Sequence, residues 1–220
     1  MSEYMCVDGI TYHIIQTSKS AIVTKIDDME VVKIPYEILD CTVTEIESSA
    51  CSNRTKVKHV SIPAGVRIIR DAAFFGCRQL MFVEIHSSNV KLHSFAFAKC
   101  ARLTTFSAYN VQIQGTDVFC GCSKIQRFTT PNQPIDSVFV GAIPRGTFYG
   151  CKKLQRLCIC NADINSTAFF GCADLKTIRF YGAVKMKPDI ESFVRKRTLE
   201  CKEDSALIDL VFDGTTVVII

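Results

Sequence analysis

Residues 68–85 read IIRDAAFFGCRQLMFVEI, and the order of residue types in this stretch decides the fold. An apolar residue leads into A-F-x-x-C-x-x-L-x-x-apolar-x-apolar. Aligning Phe and Cys reveals the same pattern five times: Phe74/Cys77, Phe97/Cys100, Phe119/Cys122, Phe148/Cys151 and Phe169/Cys172. Each Cys is followed three residues later by Leu80, Leu103, Ile125, Leu154 or Leu175. A worn copy precedes these, with Cys51 in the Phe place, Arg54 in the Cys place, then Val57, Val60 and Ile62. The chain is therefore a tandem array of six units. Successive Phe positions lie 23, 23, 22, 29 and 21 residues apart, in the leucine-rich-repeat range and short of ankyrin, TPR or propeller periods.

Within a unit, L-x-x-apolar-x-apolar has the period of two of a strand with one buried face, as in Leu154, Leu157 and Ile159. A turn and a return segment beginning at Ile69, Leu92, Ile143 or Ile164 follow, and A-F-x-G-C reads as a short helical turn that plugs Phe and Cys into the interior. One unit cannot close its own core, so stacking must bury each apolar edge against the next. The expected architecture is an α/β repeat solenoid of about six units, with short helical turns on the convex side and β-hairpin caps at both ends.

The ends support that division. Residues 4–15 place two alternating runs around Asp8-Gly9, a tight-hairpin signal. Residues 207–218 do the same around Asp213-Gly214, after a stretch from Asp189 to Glu203 that reads as a helix with Ile190, Phe193 and Val194 on one face. The expected organisation is an N-terminal hairpin cap over 1–40, repeats over 41–182, and a C-terminal helix and hairpin cap over 183–220. The insertion behind the 29-residue spacing, TTPNQPIDSVFVGAIP, reads as a longer loop between the fourth and fifth units.

Bulk properties narrow the function. The 220 residues are 48% apolar, which excludes a disordered chain. A net charge of +4 from 26 basic and 22 acidic residues gives no nucleic-acid signature. The N-terminus MSEYMCVDG lacks the basic and apolar regions of a signal peptide, no apolar run approaches the length of a membrane span, and no Cys stands four from the end for prenylation. Twelve cysteines would suggest disulfides in a secreted miniprotein, but five occupy one repeat position, where a buried thiol serves as a small hydrophobe. Reduced core thiols and a cytoplasmic location are the expectation.

The units IIRDAAFFGCRQLMFVEI, LHSFAFAKCARLTTFSA and INSTAFFGCADLKTIRF, with DGITYHII and VVKIP ahead of them, resemble the BspA-like leucine-rich repeats, the LRR_5 type. The resemblance covers roughly residues 6–182. It implies a repeat scaffold of the kind found in bacterial surface proteins and protist expansions, whose members act mostly in adhesion or interaction.

If the alternating apolar residues point inward, their neighbours form a concave face. One column is His59, Phe82, Thr105, Arg127, Arg156 and Thr177; the next is Ser61, Glu84, Ser107, Thr129, Cys158 and Arg179; a third adds His86, Tyr109, Cys160 and Tyr181. Aromatics beside arginines are the mix enriched at protein interfaces. The expected partner-binding residues are Phe82, Glu84, His86, Tyr109, Arg127, Arg156, Cys158, Arg179 and Tyr181.

Other chemistries find little support. Cys120-x-Cys122 and Cys158-x-Cys160 depart from the C-x2-4-C spacing of zinc sites, although Cys158 and Cys160 are expected to be exposed thiols. There is no G-x-S-x-G, H-E-x-x-H or Walker motif. Arg195-Lys196-Arg197 falls short of a lipid-binding cluster, and the sequons at Asn53 and Asn165 matter only if the chain is exported. The reading is a non-catalytic interaction module without cofactor, metal, nucleic acid or membrane insertion, binding an unidentified protein on its concave face. The alternative is a cell-surface adhesion protein reached by unconventional export, and a zinc-binding or enzymatic role stands as the remote one.

Overall fold

The computed structural model describes residues 2–130, 137–160, 163–165, 167–181, 185–186, 198–201 and 217–219. Three strands lead in: β1 (Ser2–Val7), β2 (Ile10–Ile15) and β3 (Ser20–Ile26) form an antiparallel meander, followed by β4 (Val31–Lys33), β5 (Glu37–Ile38) and β6 (Cys41–Ile46). Asp8 and Gly9 both take positive φ between the paired residues Val7 and Ile10, which closes the β1–β2 hairpin in two residues. The coils then contribute β7 (His59–Ile62) and β8 (Ile68–Ile69), β9 (Phe82–Ile85) and β10 (Lys91–Leu92), β11 (Thr105–Ser107) and β12 (Gln112–Ile113), β13 (Arg127–Thr129) and β14 (Ser137–Val140), β15 (Arg156–Cys160) and β16 (Asp163–Ile164), and β17 (Thr177–Tyr181) and β18 (Lys185–Met186). Two further strands, β19 (Thr198–Cys201) and β20 (Val217–Ile219), pair in parallel beyond them.

The result is a β-solenoid of about six turns. One side is the parallel sheet β13-β11-β9-β7-β4; a second is the sheet running from β12 through β10, β8 and β6 to the meander. The third side is the A-F-x-G-C turns. Among the described residues there is no helix, which corrects the expectation of helical turns. The turns around Phe74, Phe97, Phe119 and Phe148 carry left-handed residues two before and two after the Phe: Ala72 and Gly76, Phe95 and Lys99, Asp117 and Gly121, Gly146 and Gly150. Left-handed residues cannot continue a right-handed helix. They aim alternate amides at the next coil instead: the N–H groups of Ala72, Phe74 and Gly76 donate to the carbonyls of Ser94, Ala96 and Ala98 at 2.9, 2.8 and 2.8 Å. The intervening amides of Ala73, Phe75 and Cys77 close local turns onto Arg70, Ala72 and Phe74.

Inside, the repeated phenylalanines form a column. Phe74, Phe97, Phe119, Phe148 and Phe169 stack with centroids 5.1, 5.8, 5.8 and 5.5 Å apart and planes within 8°. Burying each removes about 1.5–3 kcal/mol worth of apolar surface from water. The insertion also joins this core, which corrects the reading of it as a loop throughout. Phe139 is fully buried against the rings of Phe128 and Phe148, at 4.8 and 5.3 Å. Its strand, β14, pairs with β15 and so opens a further sheet, β14-β15-β17-β19-β20, where the β4–β13 sheet ends. Of the helix expected from Asp189 to Glu203, Thr198–Cys201 form strand β19 instead, paired with β17; the rest of that span and the turn at Asp213-Gly214 lie outside the described residues.

Candidate functional site

Parallel register sets the site. Val31, His59, Phe82, Thr105 and Arg127 are successive partners across β4, β7, β9, β11 and β13, and Lys33, Ser61, Glu84, Ser107 and Thr129 form the next row. Their strands bury the intervening Val32, Val60, Val83, Phe106 and Phe128, so these two rows face outward. All their residues but Arg127 line an open depression of about 510 Å³. Its apolar end is conspicuous: Val31 is 46% and Phe82 38% exposed, and Phe82 stacks on the His59 imidazole at 4.9 Å and 16°.

Of the residues expected here, Phe82 and Glu84 line the depression, and Arg127 and Arg156 are exposed on their strands. His86 is exposed just beyond, with Nε2 3.7 Å from the Glu84 carboxylate and 3.4 Å from the Ser61 hydroxyl. Tyr109 is half-buried after β11. Arg179 and Tyr181 pair in register with Cys158 and Cys160, and their side chains lie outside what is described. Cys158 corrects the reading of an exposed thiol: it is only 8% exposed. A short side chain in a strand flanked on both sides, by β14 and β17, is covered by its neighbours. Cys160 is half-buried. Val31 and Lys33 are the additions, and His59, already placed on this face by the alternation, lines the depression with them. The match of Val31-Val32-Lys33-Ile34 to His59-Val60-Ser61-Ile62 and Phe82-Val83-Glu84-Ile85 was the signal for them.

Residues 44–176 and 134–190 match the BspA type leucine rich repeat region, in six copies. The chain belongs to the BspA-type leucine-rich repeat family. Among solved structures, it is similar to the leucine-rich repeat protein TpLRR of T. pallidum, at 20% identity over 84% of this chain and 86% of that one, with a TM-score of 0.62. The pneumococcal vaccine antigen PcpA matches at 14% identity, 92% of this chain and 65% of that one, with a TM-score of 0.57. At these identities both report the fold alone. No curated protein matches the sequence.

The repeated cysteines of this BspA-type array are structural. The thiols of Cys77, Cys100, Cys122, Cys151 and Cys172 donate to the backbone carbonyls of Cys51, Phe74, Phe97, Phe119 and Phe148 at 2.9, 3.2, 3.1, 3.3 and 3.1 Å. Each therefore reaches back to the Phe-position carbonyl of the preceding coil. Burial pushes the thiols of Cys100 and Cys151 well above the ordinary range, so they stay neutral and unreactive. Among the described residues no three His, Cys, Asp or Glu side chains gather as metal ligands, and no helix is long and apolar enough to cross a membrane. At the first sequon, the Asn53 backbone N–H donates to the Phe75 carbonyl at 2.7 Å, its side-chain amide to the Ser52 hydroxyl at 3.0 Å, and the Thr55 hydroxyl to Asp28 at 2.7 Å.

Proposed function

We propose that the chain is a non-catalytic protein-interaction module whose partner docks on the concave sheet, contacting Phe82, Glu84, His86, Tyr109, Arg127 and Arg156. The observation that carries this reading is the exposed Phe82 ring, stacked on His59 beside Val31 at the floor of an open depression. An isolated strand face has no need of a phenyl ring in water, whereas an aromatic anchor in a groove with a polar rim is the usual centre of a protein interface. A sheet face built coil on coil favours a partner that spans several coils. Cys158, being buried, is left out of the contact set.

The test is capture from extracts of the native cell by the immobilised chain, read by quantitative mass spectrometry, beside Phe82→Ser and Arg127→Glu variants. A binder that the wild-type chain retains and both variants lose supports the reading. Equal capture by all three removes the concave face as the site.

A further inference from the structure

The charge on this molecule is modest in sum and lopsided in place. The segments Cys100–Tyr109, Cys122–Thr130, Cys151–Cys160 and Cys172–Tyr181, which carry coils three to six from the turn into the concave strand, hold eight basic residues and one acid, Asp174. Asp174 is already engaged by Lys153 at 3.0 Å. Arg102, Lys124, Arg127, Lys152, Arg156 and Lys176 are exposed, and among the described residues none of them makes an ion pair.

Arg102 and Lys124 share one repeat position, two residues after Cys100 and Cys122, and Lys152 stands beside that position in coil five, one residue after Cys151. The amide of Thr104 bonds to the carbonyl of Met81, that of Gln155 to Gln126, that of Lys176 to Gln155 and that of Asp174 to Lys152, at 3.0 to 3.1 Å. Coil stacks on coil there, with a rise of about 5 Å each. Unpaired like charges at that spacing repel one another and weaken the array, so an uncompensated row makes sense as a surface kept for an anionic ligand.

The basic edge and the depression share coils three and four, whose Thr105, Ser107 and Thr129 line the depression, and its apolar end lies in the coils before them. From β4 to coil six the face covers about six inter-coil steps, roughly 29 Å, or about nine residues of extended chain. A ligand matching the whole face must offer acids at one end and an apolar anchor at the other. On the sheet face nucleic acid fits poorly, because the half-buried Thr105, Ser107 and Thr129 beside the basic edge offer no ring for a base to stack on. A sulfated glycan offers charge along its whole length and no apolar anchor. A polypeptide can carry both, and arginine's planar fork suits carboxylates.

We propose, resting on the concave-face reading above, that the partner docks through an extended acidic polypeptide segment, its carboxylates along the Arg102–Lys124–Lys152 edge and an apolar residue on the Phe82–His59 stack.

The test uses the full chain and a fluorescein-labelled peptide of about ten residues, the length that spans the face, with Phe and Leu at one end and Glu elsewhere. Binding is read by anisotropy at low and moderate salt. The wild-type chain should bind, more weakly as salt rises, and Arg102→Glu/Lys124→Glu/Lys152→Glu should lose at least about tenfold in affinity. Arg67→Glu/Lys91→Glu, exposed on the sheet of β8 and β10, should change it by less than about twofold. Lys124→Glu alone carries the test if the triple variant fails to fold. No peptide binding, an unaffected edge variant, or equal loss in the control overturns the proposal. So does tighter binding of a heparin-derived oligosaccharide or oligouridylate than of the peptide. Capture from native extract separates the two levels. If Phe82→Ser loses the partner while the edge variant keeps it, the acidic segment falls and the concave face stands. If both keep it, the concave-face reading itself falls.

Discussion

The Arg54 guanidinium donates through Nε to the backbone carbonyl of Ile26 at 2.7 Å, and so does in the first coil what a thiol does in every later one. Ile26 holds the Phe position of the lead-in coil, since its amide bonds to the Ala50 carbonyl just as the Phe74 amide bonds to that of Ala96. The Cys position is thus a donor position: alternate backbone amides run the ladder toward the next coil, and this one side chain bonds in the opposite direction. Arg54→Ala and Cys100→Ala should each cost roughly 1–3 kcal/mol, the first by a lost charge-assisted bond and the second by a lost donor in a packed interior. Cys100→Ser, which keeps a donor, should cost less than Cys100→Ala. Urea unfolding checks the order; equal losses for Ser and Ala would mean the position matters only for volume.

How much of this was legible follows from what each position asks of its side chain. The Phe and Cys columns were readable because a stacked coil demands the same apolar volume at a fixed period. The role of Arg54 was not, because its similarity to a thiol is one of donor geometry and appears only once Ile26 lies beneath it. The turns were misread as helical because their left-handed positions include Ala72, Phe95, Lys99 and Asp117, residues that give no glycine signal. On the candidate face, period two placed Phe82, Glu84, Arg127 and Arg156 outward correctly. Parity alone cannot report depth, so Cys158 was placed in solvent when flanking strands cover it. In the insertion, Pro131 and Pro134 argued for a loop, while Phe139 went to the core on hydrophobicity that a short run does not advertise.

The Phe column predicts a large local cost. Phe97 stacks on Phe74 and Phe119 and meets Phe106 edge-on at 5.2 Å, all fully buried. Phe97→Ala should destabilise by about 3–5 kcal/mol, and Phe97→Leu by less than about half of that. Because each coil contacts only its neighbours, hydrogen exchange should rise first in coils two to four of the alanine variant. A uniform rise over all coils would show that the array unfolds only as a whole.

One turn should be improvable. Leu39 and Asp40 connect the paired residues Ile38 and Cys41 with φ of 49° and 56°, and Leu39 is 47% exposed. A left-handed leucine costs roughly 1–2 kcal/mol, whereas asparagine is at home in this two-residue turn. Leu39→Asn should therefore raise stability by about 0.5–1 kcal/mol. Gly115→Ala should do the reverse, since the added carbon would fall on the backbone of Ser94. A destabilised Leu39→Asn chain would show that the exposed leucine makes contacts worth more than its backbone strain.

Stability should also fall on the alkaline side. Burial, the largest cause, holds the thiols of Cys100 and Cys151 well above their ordinary range, and burial pushes Tyr12 up to about 12. In the unfolded chain such thiols ionise near pH 8.5 and tyrosine near 10. Above those values the unfolded state binds fewer protons than the folded one, so unfolding gains with rising pH. The contribution of each group is fully present below its unfolded pKa and is lost as pH climbs toward the folded one. Each thiol that ionises only when unfolded adds a slope of about 1.4 kcal/mol per pH unit. Denaturant unfolding under reductant between about pH 8 and 10 should show the decline, and Cys100→Ala should flatten it by one thiol's worth. A flat profile would mean that the folded chain lets these thiols ionise, and native-state alkylation would then label Cys100 and Cys151 as readily as the exposed Cys6.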